Sequence, residues 1–160
     1  MTKKSDYDIG AMPHDWQTDL NFGHKGEKLV SEFLAKISSG AFEVKTDRYR
    51  NGRMVLEMMQ NPRRRMDDNG QAVWQPSGLA VTKAEWWVYV YALDGAFVIV
   101  SVPRLKRYLK ANKSRFNPDK YHKFAWRSGN PSMGYLLQPE DVMDMMINTE
   151  YDEVRTNITP

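Results

Sequence analysis

From Lys25 onward, Leu29, Val30, Phe33, Leu34 and Ile37 recur at three- and four-residue spacing, which predicts an amphipathic helix stopped by Ser38, Ser39 and Gly40. The period then drops to two. Phe42, Val44 and Thr46 alternate with Glu43, Lys45 and Asp47, the pattern of a half-buried strand. A second, more apolar strand runs from Met54 to Met59, and the intervening Asn51-Gly52 predicts a hairpin. Residues 61–78 hold Pro62, Asp67-Asp68-Asn69-Gly70 and Pro76-Ser77-Gly78, which predict a long loop.

Further on, Thr82 is expected to cap a short helical turn through Lys83 to Trp86. Two aromatic and β-branched runs follow, Trp87 to Leu93 and Ala96 to Val102, split by Asp94-Gly95 as in a second hairpin. Pro103 suits the first turn of a helix through Lys110. A strand at Gly134 to Leu137 and a helix from Pro139 to Ile147 complete the pattern, while residues 1–22 are expected to be an irregular lead-in. This order predicts an α/β fold, a central mixed β-sheet flanked by helices.

At 160 residues the chain fits a single domain, residues 1–160, with its core at about 20–112 and a C-terminal elaboration at 113–160. It contains no cysteine, which excludes disulfides, thiolate zinc sites and cysteine nucleophiles. No apolar run approaches the roughly 20 residues that span a bilayer, and MTKKSDYDIG is no secretory leader. A cytoplasmic protein without a membrane partner is the expectation, in the host cell if the chain is phage-encoded.

Charge is unevenly placed. The net value is only +3, yet Arg104, Lys106, Arg107, Lys110, Lys113, Arg115, Lys120, Lys123 and Arg127 follow one another, opposed by Asp119 alone. A second knot is Arg63-Arg64-Arg65, and the acidic residues gather after Glu140. Solvated helix faces account for most such runs, but a basic face for a phosphate backbone is the functional expectation, carried by Arg63, Arg64, Arg65, Lys106, Arg107, Lys110, Lys113 and Arg115.

The chemistry concentrates in Glu43-Val-Lys-Thr-Asp47 and Met54-Val-Leu-Glu57. Adjacent strands would bring Asp47 and Glu57 to one end of the sheet, where a hard divalent cation relieves their mutual repulsion. Glu57 interrupts an apolar strand, so it either faces solvent or has a partner. Glu27 sits in the first turn of the expected helix, where a helix dipole alone would favour an acid.

Gly26-Glu27, Val44-Lys45-Thr46-Asp47, Leu56-Glu57, Pro76-Ser77-Gly78-Leu79 and Thr82-Lys83-Ala84-Glu85-Trp86-Trp87, in this order and spacing, resemble a phage and prophage branch of the PD-(D/E)XK nucleases. The likeness spans roughly residues 20–102. It implies a restriction-endonuclease-like core, with Glu27, Asp47 and Glu57 holding magnesium or manganese. The activity it implies is metal-dependent hydrolysis of DNA phosphodiester bonds, of which structure-selective, resolvase-like cleavage is one form. A homodimer is compatible with cutting both strands.

One departure stands out. The family lysine belongs two residues after the second-strand acid, and here that residue is Met59. Gln60 is expected on the opposite face of the strand from Glu57. Lys45 shares face parity with Asp47, and Lys83 lies on the expected helical turn; Lys83 is the preferred substitute. His14, His24 and His122 are scattered, and no glycine-rich phosphate loop is present, which argues against histidine-centred nucleases and nucleotide-driven motors. Trp86, Trp87, Tyr89 and Tyr91 are read as sheet and core residues before base-stacking ones. The alternatives to an endonuclease are a DNA-binding protein that keeps the nuclease fold without cutting, and a phage protein-interaction module.

Overall fold

The computed structural model describes residues 16–92, 96–125 and 127–153, in two compact units, Met1–Ser39 and Gly40–Pro160. In the first, helix α1 covers Trp16–Ser38. It begins before Lys25 and runs through Gly23, so the expected lead-in is helical from Trp16 onward; residues 1–15 lie outside the described ones. Phe33 and Ile37 are half-buried and Leu34 is exposed.

The described residues of the second unit hold seven strands in two sheets. β1 (Phe42–Asp47), β4 (Trp86–Tyr91) and β5 (Ala96–Ser101) form one, in the order β1-β4-β5. β2 (Met54–Gln60), β3 (Gln75–Pro76), β6 (His122–Phe124) and β7 (Ser132–Leu137) form the other, in the order β3-β2-β7-β6. Helices α2 (Val102–Ala111) and α3 (Pro139–Ile147) complete the unit. Mixed and antiparallel sheets with three helices make this an α/β chain, as expected. The expected single central sheet is instead two.

The hairpin between β1 and β2 is a correction. β1 pairs in parallel with β4, Phe42 opposite Trp86 and Asp47 opposite Tyr91, whereas β2 pairs antiparallel with β7. Asn51-Gly52 does turn, with Gly52 at φ 70° and the Asn51 side chain accepting the Arg53 N–H. The connection from Asp47 to Met54 is too long for a two-residue hairpin loop, and β1 instead finds the aromatic, β-branched strand β4. The second hairpin forms as expected: β4 and β5 are antiparallel with Tyr91 opposite Ala96.

Burial on β1 also runs opposite to the alternation argument. Glu43, Lys45 and Asp47 are half-buried, while Phe42, Val44 and Thr46 are exposed. Parallel register puts the three polar residues on the face of Trp87, Tyr89 and Tyr91, all buried in the core.

No helix forms at Thr82 to Trp86. A 3-10 turn occupies Gly78–Ala80, and the Thr82 hydroxyl accepts the Ala84 N–H, a local bond that competes with helix. The C-terminal residues are integral to the unit: Tyr135, Leu137, Val142, Met145 and Tyr151 join Met54, Leu56 and Trp87 in one core. No described helix is long and apolar enough to cross a membrane.

Candidate functional site

Asp47 ends β1, and its carboxylate is oriented from two sides. Its Oδ2 accepts the Tyr89 hydroxyl at 2.9 Å and its Oδ1 accepts the Tyr49 N–H at 3.1 Å. The Tyr89 oxygen in turn accepts the Val55 N–H of β2 at 3.2 Å. Burial pushes the Tyr89 phenol far above its ordinary range; the Val55 N–H pulls it back and Asp47 adds to the rise. Tyr89 therefore keeps its proton and acts as a fixed donor. Each Asp47 oxygen retains a further lone pair. Beside it, Tyr91, also raised by burial first and Asp47 second, donates to the Gly52 carbonyl at 3.3 Å.

Glu57 lies on β2, two residues beyond Val55. It is half-buried, and its carboxylate has no hydrogen-bond or ion-pair partner among the described residues. A half-buried carboxylate without a partner forfeits solvation and gains no bond in return, which marks Glu57 as a candidate for an outside partner. Its backbone is held by Gly78, whose φ is 50° and whose Cβ, if present, would lie 3.0 Å from the Glu57 Cβ and collide with the Glu57 carbonyl.

The ladder beside Glu57 is irregular. Glu57 faces Gly134, but Met59 faces Met133 and Gln60 faces Ser132, so β2 carries a bulge between Glu57 and Met59. The extra residue reverses the parity beyond it. By register Gln60, not Met59, shares the face of Glu57, which corrects the expectation that Gln60 points away. An amide can orient a water or a phosphate oxygen but cannot supply positive charge.

The two candidate lysines separate clearly. Lys83 is exposed ahead of β4, next to the start of β1, and Asp47 is at the other end of that strand, about 16 Å away at strand rise. Lys45 shares the half-buried face of Asp47. It pairs with Glu43 at 2.6 Å and lies 5.5 Å from the centre of the Trp87 ring. Geometry thus favours Lys45 over Lys83. Glu27 is exposed on α1 in the first unit. Among the described residues no three histidines or carboxylates gather as a metal-ligand group. Asp47 and Glu57 each offer hard oxygen donors, and among the described residues neither forms a group of three with other carboxylates or histidines.

The basic run divides into two jobs. Arg104 donates to the carbonyls of Met145 and Asn148 and pairs with Asp152, and Arg107 donates to the Tyr151 carbonyl. Arg115 pairs with Asp141 at 2.6 Å and also meets the Tyr108 hydroxyl. These guanidiniums clamp α2 to the C-terminal segment, a task suited to a planar fork of donors. Lys106, Lys110 and Lys113 are exposed and take no part in the clamp. In the other knot, Arg63 and Arg64 adopt φ of 57° and 50°, Arg64 donates to the Ser128 carbonyl at 2.8 Å, and Arg65 is exposed.

Comparison with protein-family models, with curated proteins and with solved structures gives no match. The site therefore rests on its own chemistry. Sequence reasoning read Tyr89 as a core residue without its bond to Asp47 and set Gln60 on the wrong face. The Tyr89 role was readable only in part, since its alternation with Trp87 and Tyr91 marks an inward face; the bulge that turns Gln60 leaves no signal in the sequence.

Proposed function

We propose that the chain is a metal-dependent endonuclease of the PD-(D/E)XK type acting on DNA. The observation that carries the reading is the contrast between two carboxylates: Asp47 is oriented by Tyr89 and the Tyr49 N–H, and Glu57 is half-buried without a partner. Asp47 and Glu57 would hold the cation. A bound magnesium supplies a Lewis acid for the phosphoryl oxygen and a more acidic water. The chain's own residues do the rest. Tyr89 fixes the Asp47 rotamer and ties it to β2, the bulge turns Gln60 toward the Glu57 face, and exposed lysines attract the phosphate backbone.

A second reading is a DNA-binding protein of the same fold that does not cut. It is favoured by Met59 at the family lysine position, by the engagement of Lys45 with Glu43, and by the missing third ligand among the described residues. One experiment separates the two. Supercoiled plasmid, branched DNA and single-stranded DNA are incubated with magnesium or manganese and the wild-type chain or Asp47→Ala. Cutting that needs metal and disappears in the variant supports the endonuclease; intact binding without cutting on any substrate selects the second reading.

A further inference from the structure

Lys106 and Lys110 of α2, with Lys113 just past its end, border a cavity. Lys106 and Lys110 are one helical turn apart, on a different side from the arginines that clamp the C-terminal segment. They rim an open cavity of about 290 Å³. Its floor is apolar, built from Met58, Leu79, Leu109, Phe116 and Tyr135. None of the three lysines is ion-paired with a carboxylate among the described residues, and no carboxylate lines the cavity. Leu79 is 1% exposed and Leu109 8%, so the floor is part of the packed core and is preformed.

We propose that this cavity receives one unpaired nucleotide of single-stranded DNA, its base on the apolar floor and its flanking phosphates on Lys106, Lys110 and Lys113. The inference rests on the DNA-binding reading above and names the form of DNA that is held. Three cations around an apolar floor complement a ligand with a flat apolar body and anionic flanks. The volume is at the small end of ligand sites, enough for a nucleotide and too confined for a duplex, whose bases stay stacked.

The test measures binding of fluorescein-labelled oligothymidylate and of a duplex of equal length by anisotropy, in EDTA so that no cutting intervenes. Single strand should bind more tightly than duplex. Each of Lys106→Ala, Lys110→Ala and Lys113→Ala should lower the slope of log affinity against log salt for single strand by about 0.7. Ala80→Trp, at an exposed position of the cavity wall, should weaken single-strand binding about tenfold or more and leave duplex binding unchanged. Circular dichroism confirms that each variant folds. Wild-type affinity in Ala80→Trp overturns the proposal, as does equal loss on single strand and duplex in the lysine variants. Tighter binding of oligouridylate than of oligothymidylate overturns the assignment to DNA. A chain that cuts DNA but ignores Ala80→Trp overturns the cavity alone; cavity-dependent binding without cutting overturns the endonuclease alone.

Discussion

The Tyr89 hydroxyl sits 2.9 Å from Asp47 Oδ2 and takes the Val55 N–H at 3.2 Å, so one buried phenol joins the end of β1 to β2. These strands belong to different sheets and share no ladder. Tyr89 thus does in one side chain what the expected hairpin would have done with a row of backbone bonds: it brings the Asp47 carboxylate to the strand that carries Glu57.

Tyr89→Phe removes that bridge while keeping the ring in the core. The Val55 N–H and Asp47 Oδ2 each lose a partner, and the expected loss of stability is about 1–2 kcal/mol in urea denaturation. Metal-dependent cleavage should fall by more than the folded fraction does, because the Asp47 rotamer is released. Unchanged cleavage in a folded Tyr89→Phe would assign Tyr89 to structure alone.

Glu57 makes the opposite prediction. Without metal, Glu57→Gln should be at least as stable as the wild type, since it removes a half-buried charge that has no partner among the described residues. With magnesium at about a hundred times its dissociation constant, the wild-type Tm should rise by about 5–10 °C and that of Glu57→Gln should not. A metal response retained in the variant would remove Glu57 from the ligand set.

At Gly78 both space and backbone exclude a side chain. Its φ is 50°, and an added Cβ would meet the backbone and Cβ of Glu57. Gly78→Ala should cost about 2 kcal/mol or more. Assayed well below its Tm, the variant should also lose magnesium response, because the strand must shift at Glu57 to make room. A stable variant with full metal response would show that the Glu57 segment yields without consequence.

Element type was legible where one period held over many residues. The helices at 139–147 and from Pro103, and the strands around Val44, Leu56, Val88 and Val98, were all expected. Pairing was less legible. Asn51-Gly52 turns as its chemistry dictates, but whether β1 then meets β2 or β4 depends on side chains distant in sequence. The face of β1 misled for a related reason: Glu43 and Lys45 neutralise each other at 2.6 Å, which lets polar residues occupy the half-buried side. Asp47 and Glu57 were singled out from type and spacing. Tyr89 and the bulge before Gln60 arise only from tertiary contact. A run of positive charge likewise gave no sign that Arg104 and Arg107 hold carbonyls and Arg115 a carboxylate while the lysines stay exposed.

That division of labour makes the fold sensitive to acid at one place. Asp141 Oδ1 accepts Tyr108 and Arg115, at 2.9 and 2.6 Å, and its Oδ2 accepts the Gln138 N–H at the start of α3. Burial alone would raise this carboxyl, but the Gln138 N–H, Arg115 and Tyr108 together hold it below its ordinary value. A carboxyl lowered in the folded state contributes stability above its unfolded value, near pH 4, and that contribution is lost as pH falls through the lower folded value. Asp141→Asn should therefore be less stable than the wild type at pH 7, by about 2–3 kcal/mol, since the ion pair goes and the Tyr108 hydroxyl and Gln138 N–H bonds weaken. The gap should narrow as pH drops below about 4 and the wild-type carboxyl takes up its proton. Urea denaturation of both proteins from pH 7 to pH 3 measures it; a gap that stays constant across that range would mean that the carboxylate charge contributes nothing to holding α2 and α3 together.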